Sequence, residues 1–64
     1  MMDRALEVVV EEIREKRSMV IDAMARGAAK DFPEYQKLCG VIQGYSAIEG
    51  YILDLAKSME QSDE

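Results

Sequence analysis

Cys39 and Glu49 are the two side chains of this chain whose type and placement raise the question of chemistry. One is a thiol; the other is the lone charge between Leu38 and Leu53. A thiol nucleophile needs a base within reach, and general acid–base work needs a second titratable partner. The sequence contains no His. Cys39 follows Leu38 in a helix-patterned segment, which reads as a small packed side chain rather than a reactive thiolate. A single Cys without His also removes the ordinary zinc sites, and the five Met residues are start residues or core filler rather than a soft-metal site. Gly40-x-x-x-Gly44 lies within a helical pattern and lacks the Lys-Ser/Thr ending of a phosphate loop. These residues predict no catalytic centre, no cofactor and no metal, so an enzyme is not expected. Recognition of other macromolecules is the chemistry left.

The elements that would present such a surface follow from one breaker region, Gly27 to Pro33, between two segments of helical periodicity. In the first, Leu6, Val9, Ile13, Val20, Met24 and Gly27 recur at three- and four-residue steps, interrupted at Lys16 and Arg17. The second opens with Asp31-Phe32-Pro33-Glu34. Asp31 can cap the following N–H groups, Glu34 completes a capping box, and Pro33 sits in the first turn, where it forfeits no hydrogen bond. Leu38, Val41, Ile42, Tyr45, Ile48, Ile52, Leu55 and Met59 then trace one apolar face. The expected fold is all-α: a single domain over 1–64, with a first helix at about 3–29, a turn at about 27–32, a second helix at about 32–60 and a frayed tail at 61–64. One short connection makes the two helices antiparallel, as a helical hairpin.

A chain of 64 residues with one Cys cannot rely on a large core or an internal disulfide, which leaves oligomerisation as its stabiliser. The second helix shows how. Gly40, Gly44 and Gly50 each cost about 1 kcal/mol relative to Ala in a helix interior, so packing on more than one side is expected there. Opposite the large apolar side chains, Gly40, Gly44, Ala47 and Tyr51, with Gln43 and Cys39 beside them, form a face without Lys or Arg. That face predicts an oligomer interface, with hairpins dimerising into a four-helix bundle or a higher oligomer. The alternative is that the glycines simply admit bulky side chains from the first helix. Glu49 should lie level with Arg14 to Lys16, which predicts an ion pair to Lys16 or Arg17 that fixes the register of the helices.

The net charge is −5, and residues 1–12 and 53–64 each sum to −3 while 13–52 sum to +1. A hairpin therefore has an acidic end. The acidity argues against non-specific nucleic-acid binding and against anionic membranes. Val8-Val9-Val10 is too short for a membrane span or a signal-peptide core, so the expected setting is soluble and cytoplasmic.

Residues 27–57 resemble short, largely uncharacterised helical proteins of tailed bacteriophages, through the pattern G-x-x-K-D-[aromatic]-x-E-Y followed by G-x-I-x-G. It is carried here by Gly27, Lys30, Asp31, Phe32, Glu34, Tyr35, Gly40, Ile42 and Gly44. Pro33 stands where that group more usually has Ala. The resemblance implies a phage origin, a host-cell or virion location and a small helical protein, and it supplies no residue roles. Three readings follow. The first is a self-associating protein of virion structure or assembly that contacts itself and phage structural proteins. The second is a phage-encoded regulator that binds a host protein. The third is an RNA-binding hairpin dimer, for which only Arg14, Lys16, Arg17, Arg26, Lys30 and Lys37 are available, interspersed with acids.

Overall fold

The computed structural model describes residues 3–62. Two helices, α1 (Arg4–Ala25) and α2 (Phe32–Ser62), form an antiparallel hairpin whose Cα atoms span 51 × 17 × 12 Å. Asp3 caps α1, its Oδ1 accepting from Ala5 N–H at 2.7 Å. At the start of α2, Asp31 Oδ1 accepts from Glu34 N–H at 2.9 Å, so the capping signal in the sequence sits where it should act. Its reciprocal half is displaced by one residue. Glu34 Oε2 accepts from the Lys30 N–H at 3.4 Å rather than from Asp31.

The first helix ends earlier than its apolar pattern predicts. Ala28 N–H donates to Ala23 C=O and Gly27 N–H to Met24 C=O, both at 3.0 Å, which is a Schellman closure. Gly27, with φ +87°, occupies the left-handed position the closure requires. It terminates α1 instead of extending its apolar stripe to residue 29. At the other end, Gln61 and Ser62 continue α2, where a frayed tail was expected from 61; Asp63 and Glu64 lie outside the described residues.

The seam between the helices has heptad spacing. Leu6, Val10, Ile13, Arg17, Val20 and Met24 of α1 are buried or half-buried, as are Leu38, Ile42, Tyr45, Glu49, Ile52 and Ala56 of α2. Steps of four and three alternate throughout both sets, the geometry of a two-stranded antiparallel coiled coil. Val10, not Val9, is the inward residue of the valine run, and among the described residues it is the one buried hydrophobic side chain, 2% exposed. Val41, Ile48, Leu55 and Met59, expected on the inner face of α2, are exposed instead. Arg17, read as an interruption of the apolar stripe, and Glu49, the lone charge of its segment, are themselves seam residues.

Candidate functional site

Glu49 organises the middle of the seam. Arg14 Nε donates to its Oε2 and Arg17 Nη1 to its Oε1, each at 2.5 Å, and Arg17 also donates to Ser46 Oγ at 3.2 Å. The Glu49 side chain is only 12% exposed, against 24% for Arg17 and 55% for Arg14. The hydrogen bonds from Arg14 and then Arg17 hold the Glu49 carboxyl below the usual carboxylate range, with desolvation acting in the opposite direction. This triad joins Glu49 to Arg17, as the register predicts, and adds Arg14. Lys16 does not take part: it points one turn back along its own helix to Glu12 Oε1, at 3.3 Å. Arg17 lies in the seam and Arg14 on the flank beside Ser46, and both reach Glu49, whereas Lys16 lies on the opposite flank.

The seam divides the hairpin's sides into two flanks of different character. In antiparallel helices, residues that follow the seam positions 6, 13, 20, 38, 45 and 52 share one flank, and residues that precede 10, 17, 24, 42, 49 and 56 share the other. The first group is Glu7, Arg14 and Ile21 with Cys39, Ser46 and Leu53, a mixed polar flank that carries the Arg14–Glu49 contact. The second group is Val9, Lys16 and Ala23 with Val41, Ile48 and Leu55, apolar apart from Lys16. Of these, Val9, Val41, Ile48 and Leu55 are 44%, 37%, 48% and 52% exposed. A groove of about 340 Å³ opens on this second flank, lined by Val8, Val9, Glu12, Ile13, Lys16 and Tyr45.

The glycines expected to need packing have none within the hairpin. A Cβ built at Gly40, Gly44 or Gly50 meets no atom within 4 Å. They do not admit side chains from α1, which removes that explanation. Gly44 and Tyr51, the latter 75% exposed, border the apolar flank, while Gly40, Gln43 and Ala47 lie farther around the outer side of α2. Cys39 is half-buried on the mixed flank, apart from the other residues of the expected glycine-side interface. A side-chain hydrogen bond with Cys39 raises the Tyr35 phenol above its usual range. The Tyr35 ring stacks on Phe32 with centroids 6.3 Å apart, covering the start of α2.

No group of three or more His, Cys, Asp or Glu side chains among the described residues could hold a metal ion, and no helix there is long and apolar enough to cross a membrane. The seam charges were legible as charges but not as seam members, because a hydrophobicity pattern passes over them. Heptad spacing, which includes Arg17 and Glu49, is the signal that finds them. No family model, curated protein or solved structure matches the chain.

Proposed function

We propose that the chain is a non-enzymatic phage protein that works through protein–protein contacts, by self-association and by contact with other phage proteins in virion structure or assembly. The observation that carries this reading is the exposed apolar flank of Val9, Val41, Ile48 and Leu55 on a hairpin that, among the described residues, buries a single hydrophobic side chain, Val10. A monomer with so little interior is poorly stabilised, and a contiguous exposed apolar surface is the usual mark of a contact site. The phage setting rests on the resemblance over residues 27–57. The net charge of −5 favours a protein partner over nucleic acid.

Quantitative mass spectrometry of purified particles and assembly intermediates from the source phage tests the proposal. The expected result is recovery of peptides from this chain in fixed ratio to a structural protein in one of those fractions. Their absence from both fractions refutes the assembly role.

A further inference from the structure

The hairpin is far from compact, and its surplus surface is large enough to hold an interface. Its radius of gyration is 15.0 Å, where a globular chain of this length has about 11 Å. Its accessible surface is 5023 Å², where a compact monomer of 7.2 kDa exposes about 4,100 Å². The excess, about 900 Å², matches the roughly 800 Å² that each partner contributes to a standard stable interface.

Charge selects both the occupant and its orientation. Among the described residues, the terminal segments, 3–12 and 53–62, carry Asp3, Glu7, Glu11, Glu12, Asp54 and Glu60 against Arg4 and Lys57, a net of −4. The turn half, 18–47, carries Asp22, Asp31 and Glu34 against Arg26, Lys30 and Lys37, a net of zero. Two copies side by side with their turns together would set one acidic end against another. Packed helices lie about 8–10 Å apart, close to the Debye length at physiological salt, so that repulsion is only partly screened. Reversing one copy places each acidic end beside a neutral turn.

Resting on the self-association reading above, we infer that the partner on the Val9–Val41–Ile48–Leu55 flank is a second copy of this chain, related by a two-fold axis perpendicular to the hairpin, with the two turns at opposite ends of a four-helix bundle. The contact is isologous, so each flank residue contributes twice. Gly44, at the edge of the flank, lets the partner backbone approach closely.

Pulsed electron–electron spin resonance on the full chain tests this, with a nitroxide at Ala28→Cys in a Cys39→Ser background and the mass of the same sample measured by light scattering. The expected result is a dimer with a label-to-label distance of about 50 Å, the length of the hairpin. A dimer with labels about 25 Å apart or less overturns the antiparallel arrangement while leaving self-association intact. A monomer overturns both. Ile48→Glu and Ile21→Glu change equally exposed residues on opposite flanks, so they share any penalty on folding. Loss of the long distance in Ile48→Glu alone supports the assigned flank; equal loss in both, or loss in Ile21→Glu alone, overturns it.

Discussion

Truncating Ile48 to Ala should weaken association about 30-fold and leave the hairpin's helicity nearly unchanged. Ile48 is 48% exposed within the hairpin. Full burial of such a side chain stabilises by roughly 1.5–3 kcal/mol, so the portion a partner can cover contributes roughly 1 kcal/mol. A two-fold interface contains the residue twice, giving about 2 kcal/mol per dimer. At roughly 1.4 kcal/mol per factor of ten, the dissociation constant rises about 30-fold. Ile21 is a matched control because it is also 48% exposed but follows a seam position, on the mixed flank. Ile21→Ala makes the same chemical change with the same gain in helix propensity, so differences in intrinsic helicity cancel. Sedimentation velocity over a concentration series yields both dissociation constants. Equal weakening in the two variants, or weakening only in Ile21→Ala, would refute the assignment of the interface to the Val41–Ile48–Leu55 flank.

The remaining predictions concern the hairpin itself. The folded state holds the Glu49 carboxyl below its usual range, so the triad's contribution is full above the ordinary glutamate pKa of about 4.3. That contribution is lost as pH falls through the lower folded value. The thermal midpoint of the unmodified chain should therefore drop more steeply below about pH 4.3 than that of Glu49→Gln, and parallel pH profiles would contradict the triad. Gly27→Ala forces an L side chain into the left-handed region at φ +87° and should cost about 1–2 kcal/mol by chemical denaturation; no change would contradict the Schellman closure. Gly40→Ala should stabilise by about 1 kcal/mol, because a Cβ there meets nothing within 4 Å. Destabilisation would instead place a neighbouring molecule against that position.

The sequence revealed the helices more readily than it revealed which of their faces meet. Asp31-Phe32-Pro33-Glu34 marks the start of α2 because capping is local chemistry, and Asp31 Oδ1 does accept the Glu34 N–H. The end of α1 was obscured because Gly27 falls in step with the apolar pattern, and only the backbone shows that it reverses the chain. Val8, Val9 and Val10 are equally hydrophobic and carry no information on rotation. At the centre of the seam, Arg17 and Glu49 stand where apolar residues would have fixed the phase. Averaging over hydrophobicity alone therefore turned the apparent inner face of α2 toward Val41, Ile48 and Leu55. Those residues belong to a second apolar surface beside the first. One broad apolar face in the pattern separates into a seam that closes the hairpin and a flank that remains open.

The mass of the unmodified chain in dilute solution tests the central claim most directly. At micromolar concentration and physiological salt, light scattering should give about twice the 7.2 kDa of one copy. A folded, helical species of 7.2 kDa under the same conditions would mean that the hairpin stands alone with its apolar flank in water, contrary to the association proposed for it.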